Sequence, residues 1–190
     1  ASRPEIIEEL YEEQVRVYSD GAGGFAPLDY DTQKSSVPVL DAVIRETLRM
    51  HPPIHSLMRR VKSDMVVPPT LAAPKTGKGQ STDTYVIPKG HYLVAAPGVS
   101  QIDPHVWCDA DKFDPHRWLG DKTLIDQTDD AQEDFGWGLV STGANSAYLP
   151  FGAGRHRCIG EQFAYLQLGT IISNFVRMFH WRLEDKLPTP

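Results

Sequence analysis

The sequence predicts an α+β chain that is mainly α, and three observations carry that prediction. Amphipathic helical patterns occupy residues 4–18 and 36–50, and a strongly apolar helical stretch follows residue 160. Between them, short β-branched runs broken by Pro and Gly replace the helical period. The chain has 190 residues and 41% apolar content, a composition ordinary for a globular protein with a core. No internal repeat or low-complexity tract appears, so one domain, or part of one, accounts for the whole chain.

The first helical run, PEIIEELYEEQVRVY, sets Ile6, Ile7, Leu10, Gln14 and Val17 along one face with glutamates on the other, and Pro4 stands at an N1-like position. It reads as if it begins inside a helix of a longer chain. Residues 19–36, with Gly and Ala at 21–24, read as a loop. A second helix is expected from Ser36 or Val37 to Met50, where Leu40, Val43, Ile44 and Leu48 form the apolar stripe. His51-Pro52-Pro53 ends it, because the residue before a proline avoids the α region. Glu46 and Arg49 then share a helix face at i and i+3, which for an isolated helix describes a solvated surface pair.

From Ile54 to Ser100 small strands are expected, with YVIPKGHYLVA a hairpin-like pair and PPTLAAPKTGKGQST an exposed loop. Residues 101–150 are rich in Asp, Pro, Gly and Trp without sustained period, and so long a coil in a compact domain is often functional. A third helix is expected over Glu161 to Arg182. Its residues Phe163, Leu166, Ile171, Phe175, Val176 and Phe179 lie mostly on one side, and that side is expected to be buried.

A net charge of −6 offers no basic stripe to displace counterions from phosphates, so nucleic acid is not an expected partner. Two cysteines, Cys108 and Cys158, lie far apart, which argues against a disulfide scaffold and for reduced thiols. No apolar run reaches membrane-spanning length, and the first residues lack the basic-then-apolar order of a signal peptide.

The stretch with chemistry is FGAGRHRCIG, residues 151–160. Cys158 falls just before the third helix, where free N–H groups and the helix dipole favour thiolate. A free structural cysteine is the plain reading. Zinc wants about four N or S ligands, and only His156 is close by in sequence. A phosphate loop wants glycine where Arg157 stands, and a nucleophile lacks a neighbouring base with an orienting acid. A thiolate ligand to haem iron accounts for all ten positions. Phe151 can shield the sulfur, Gly152, Ala153, Gly154 and Gly160 let backbone approach a flat macrocycle, and the basic residues can meet propionates.

With two further elements in order, Glu46-Thr47-Leu48-Arg49 as E-x-x-R and Pro115-His116-Arg117-Trp118 as P-x-R-W, the chain resembles the haem-thiolate monooxygenases, the cytochrome P-450 family. His156 two residues before the cysteine, with PPIHSLMRRVK and YLPFGAGRHRCIGEQFAY, resembles the sterol 14α-demethylase subgroup, particularly its fungal members. The resemblance implies the C-terminal portion of that fold: a single partial domain over 1–190, with the oxygen-binding helix and any membrane anchor upstream and the last strands downstream. It implies haem b, ligated by Cys158, with His156 and Arg59 as propionate partners. It implies a buried network of Glu46, Arg49 and Arg117, and a substrate-lining strand containing Ile54, His55, Ser56, Leu57 and Met58.

The implied reaction is oxidative removal of the 14α-methyl group of lanosterol or eburicol, with electrons from NADPH through a flavoprotein reductase. Arg155 and Arg157 are candidates for docking that reductase. Azole inhibitors bind members of the subgroup, and the parent protein is expected at the endoplasmic reticulum membrane. The alternatives are another cytochrome P-450 with a different hydrophobic substrate, or a haem-binding module without turnover.

Overall fold

The computed structural model describes residues 3–67, 85–119, 148–152 and 157–180. Helix α1 spans Pro4–Tyr18 and turns Ile6, Leu10, Glu13, Gln14 and Tyr18 inward. Glu13 corrects the sequence pattern, which sets it on the solvent side. Its carboxylate accepts the Val39 N–H at 2.7 Å and the Leu40 N–H at 2.9 Å. Those amides belong to the first turn of α3, Pro38–Met50, whose N-cap Val37 supplies no side-chain cap. Helix-terminal N–H groups have no partner of their own, so an acid from the neighbouring helix fills the gap.

The expected loop at 19–36 contains a short helix, α2, Tyr30–Ser35, and a bridge between Ser19 and Phe25. Asp29 caps α2 by accepting the Thr32 N–H at 2.9 Å. Six residues held by a cap carry too little apolar period to be seen in sequence.

The strands are β1 Leu57–Arg60, β2 Met65–Val67, β3 Tyr85–Ile87 and β4 Tyr92–Ala95. They correct the hairpin expected within 85–95: β3 pairs with β2 and β4 with β1, all antiparallel. Leu57 faces Ala95 and Val67 faces Tyr85, so both ladders share one register and form a single long pair of arms. Pro88-Lys89-Gly90 is an interruption in one arm rather than its reversal. Val61 N–H donates to His91 O at 2.8 Å and Gly90 N–H to Val61 O at 2.9 Å, which pins the break. Gly90, at φ 93°, takes a conformation that residues with a Cβ rarely adopt. The loop expected at 68–82 lies largely outside the described residues.

A short helix, α4, Pro97–Ser100, and a 3-10 turn over Pro115–Trp118 punctuate the coil. Helix α5 runs Glu161–Met178, stopping short of Arg182 because Phe179 is extended at ψ 137°. The main core gathers Ile6, Leu10, Tyr18, Val37, Leu40, Ile44, Leu48 and Tyr165. Burying each large apolar side chain stabilises by about 1.5–3 kcal/mol relative to exposure. Gly169 permits the close approach of α5, since a Cβ there would lie 2.7 Å from Gln33 Oε1.

The expected burial of the α5 stripe does not hold. Phe163 is 66% exposed and Phe179 55%, and Ile171 and Phe175 are exposed as well. The inward face is instead Glu161, Tyr165, Gly169 and Ser173, with Leu168, Ile172 and Val176 packed at its edges. The helix is apolar around more than one side, and α1, α2 and α3 cover only one of them. A second cluster stacks Trp107, Trp118 and Tyr148, with Trp118 and Tyr148 ring centroids 4.8 Å apart. Among the described residues no helix is long and apolar enough to cross a membrane.

Candidate functional site

Helix α3 ends in a charged cluster that is fully enclosed. Glu46 and Arg49 are each 0% exposed, which excludes a solvated surface pair. Arg49 Nε and Nη2 each reach a Glu46 oxygen at 2.9 Å. Its remaining donors go to carbonyls of the coil: Nη1 to Gln101 O at 2.7 Å and Ala110 O at 2.8 Å, Nη2 to Lys112 O at 3.2 Å. All five guanidinium donors are thereby used.

The structure brings Arg117 to the same carboxylate, with Nε 3.0 Å from Glu46 Oε1. Arg117 also donates to Cys108 O and Asp109 O. Asp114 N–H and Trp118 Nε1 complete the set on Glu46, each at 3.0 Å. Burial alone would raise the Glu46 carboxyl; the hydrogen bonds from Arg49 and the Asp114 N–H, with the charges of Arg49 and Arg117, outweigh it and hold it below the ordinary value of 4.5.

Gln101 is a residue that sequence reasoning missed. It is 0% exposed, and its Nε2 donates to Leu48 O at 3.0 Å and Arg49 O at 2.9 Å. Its Oε1 accepts the Leu149 N–H at 2.9 Å. One side chain therefore ties the end of α3, the coil after α4, and the segment that leads to Cys158. Nothing in a lone glutamine within an aperiodic coil announces this. Trp118 stands in the P-x-R-W element, so its indole was within reach of sequence reading; Trp107 and Tyr148 carry no comparable signal.

Cys158 and Cys108 are free thiols, and both are exposed. Cys158 N–H donates to Phe151 O at 2.9 Å, a backbone closure between the two described stretches. Gly152, at φ 73°, makes the left-handed turn inside that closure and donates to Leu149 O at 3.2 Å. Gly160 begins α5 as its N-cap, and a Cβ there would sit 3.8 Å from Cys158 Sγ, in ordinary contact. The Phe151 ring packs against Tyr165, centroids 5.7 Å apart. Burial pushes the Tyr165 hydroxyl up to about 12, so it stays protonated throughout the physiological range.

Arg157 is engaged by Glu161, Nε to Oε2 at 2.6 Å and Nη2 to Oε1 at 2.9 Å, so its guanidinium is paired in a bidentate fork and does not stand free for a partner. Arg59 is exposed, with Nη1 on Met58 O at 3.0 Å. Ile54, His55, Ser56 and Met58 are exposed and Leu57 is half-buried. Gly154, Ala153, Arg155 and His156 lie outside the described residues. Among the described residues no three His, Cys, Asp or Glu side chains gather to hold a bare metal ion.

Comparison with known proteins places this geometry. The chain is 65% identical to a lanosterol 14-alpha demethylase of Mycosarcoma maydis, an alignment covering 100% of this chain and 34% of that protein. It is 48% identical to an eburicol 14-alpha-demethylase of Uncinula necator, covering 97% of this chain and 33% of that one. The solved structure of retinoic acid bound cyanobacterial CYP120A1 matches with a TM-score of 0.67 at 25% identity, over 100% of this chain and 34% of that chain. The chain thus spans about a third of the length of the curated relatives it matches. The family model for cytochrome P-450 matches residues 1–190, and the chain belongs to that family.

Proposed function

We propose that the protein to which this chain contributes is a haem-thiolate monooxygenase that removes the 14α-methyl group of a sterol such as lanosterol or eburicol. The observation that carries the reading is the open Cys158 thiol at the head of α5, on a backbone closure that leaves its sulfur exposed. The surroundings suit a macrocycle. Gly160 leaves the space beside the sulfur without a Cβ, which would sit 3.8 Å from it, and the neighbouring Ile159 and Phe163 are exposed apolar surface. The donor set, one thiol with no companion ligands among the described residues, would suit the iron of a haem better than a bare ion.

Haem bound there supplies dioxygen activation, and a thiolate donor favours O–O cleavage. The chain's own residues supply the rest. Cys158 would ligate the iron, Phe151 and Gly152 turn the chain that holds the Cys158 amide, Gly160 starts α5 beside the sulfur without a side chain, and His156 and Arg59 would meet the propionates. Arg59 can do so because its side chain is exposed, with Nη1 on Met58 O of its own strand. Glu46, Arg49 and Arg117 fix the coil behind the haem. Ile54, His55, Ser56, Leu57 and Met58 supply part of the sterol wall, with strand alternation turning only some of them inward.

Three successive oxygenations, fed by NADPH through a flavoprotein reductase, release the methyl carbon as formate. The parent protein works at the endoplasmic reticulum membrane, and azoles inhibit it. Reconstitution of the full-length protein with reductase, NADPH and lanosterol tests the assignment. Formate release dependent on Cys158 is the expected result, and haem loading without formate release from lanosterol or eburicol would contradict it.

A further inference from the structure

His55 stands just before β1 and Gly98 just after β4, at the same end of the ladder in which Leu57 faces Ala95. Gly98 N–H donates to His55 O at 3.1 Å. The His55 ring lies directly over Gly98: a Cβ built there would sit 2.4 Å from Cδ2, 2.8 Å from Nε2 and 2.9 Å from Cγ. Contacts that short do not persist, so either the backbone or the ring must move.

The backbone is held. Gly98 is buried, and Gln101 N–H bonds Pro97 O at 2.9 Å while the Gln101 side chain is anchored to Leu48 O and Arg49 O. The ring is free to move, being exposed and without a side-chain hydrogen bond among the described residues. Gly98 is also not a glycine by backbone necessity. Its φ is not among the positive values, and inside a helix glycine is less favourable than alanine. What its missing Cβ provides is room for the imidazole.

We propose that Gly98 is a positioning residue which sets the orientation of the His55 ring and thereby the fit of sterol against the strand that follows it. This rests on the reading, given above, that residues 54–58 line the sterol cavity. With any Cβ at 98, the ring swings off the α4 backbone and into space the sterol would use.

The test is a double-mutant cycle in the full-length, haem-loaded protein, read by equilibrium optical titration with lanosterol. Gly98→Ala is expected to weaken lanosterol binding about fivefold with haem content unchanged, and to have no further effect in a His55→Ala background, where no ring remains to displace. Selectively labelled His55 ring protons should shift in Gly98→Ala. An equal loss in both backgrounds, or no loss in Gly98→Ala while His55→Ala weakens binding, overturns the role of Gly98. Failure of Gly98→Ala to load haem overturns it too, by making the position one of folding. If His55→Ala itself binds lanosterol normally, the cavity reading of residues 54–58 falls, and the inference with it.

Discussion

The two ends of the coil that follows the strands are built on opposite plans. Near α3, Glu46, Arg49, Arg117 and Gln101 are buried, and every hydrogen-bonding group of Arg49 and Gln101 has a partner. Near α5, Cys158 and Ile159 stand open, with the Cys158 amide closed onto Phe151 O. The difference teaches how a reactive ligand is placed. Rigidity is concentrated where nothing reacts, and Gln101 extends it to Leu149, two residues before the carbonyl that receives the Cys158 amide, while the thiol stays exposed.

The sharpest way to break the closed end is to strand one of its charges. Arg49→Ala leaves Glu46 buried opposite Arg117 alone and opens the Gln101 and Ala110 carbonyls, at a cost of about 3–5 kcal/mol. Denaturant unfolding of the full-length protein should show that loss together with failure to take up haem; normal haem content in the variant would contradict the scaffold role.

Gln101→Leu is expected to cost less, about 1–3 kcal/mol, because it removes a neutral group and strands no buried charge. It should also act at a distance. The Leu149 amide, which loses its acceptor, should exchange with solvent faster while the amides inside α3 keep their protection; unchanged Leu149 exchange would break the proposed link between the two ends.

Two buried glutamates sharpen the comparison through pH. Glu46, lowered below 4.5, contributes stability fully present above that pH and lost as pH falls through its folded value. Glu13 is shifted the other way: burial raises it, only partly offset by the Val39 and Leu40 N–H groups. Its ionised form therefore opposes folding, and acidification toward 4.5 relieves that cost by about 1.4 kcal/mol per unit of pKa difference. Glu13→Gln should remove the gain on acidification to 4.5 and leave the loss below it, as read from unfolding at a series of pH values.

Much of this was legible in the residues, and what was not has physical causes. Helices α1 and α3 announced themselves by period, α1 also by Pro4 at its start and α3 by the prolines that end it. The E-x-x-R and P-x-R-W elements pointed to Glu46, Arg49 and Arg117, although spacing alone describes a surface pair; the burial comes from coil carbonyls that no local pattern contains. The strand pairing was misread because a Pro-Lys-Gly segment looks like a reversal, whereas the partner arm lies some thirty residues earlier in the chain. Glu13 was set outside by its type, yet unpaired amides at the start of α3 draw it in. The apolar character of α5 was visible, but which face the neighbours cover is a property of their placement, and Phe163 and Phe175 stayed open.

The smallest stability effect and the largest chemical one belong to the same substitution. Cys158 is exposed, so in the haem-free protein Cys158→Ser should change unfolding by no more than about 0.5 kcal/mol. The central measurement is the carbon monoxide difference spectrum of the reduced full-length protein beside this variant. A thiolate-type band present in the parent and absent from Cys158→Ser is the predicted result; the same band surviving without that sulfur would contradict the account at its root.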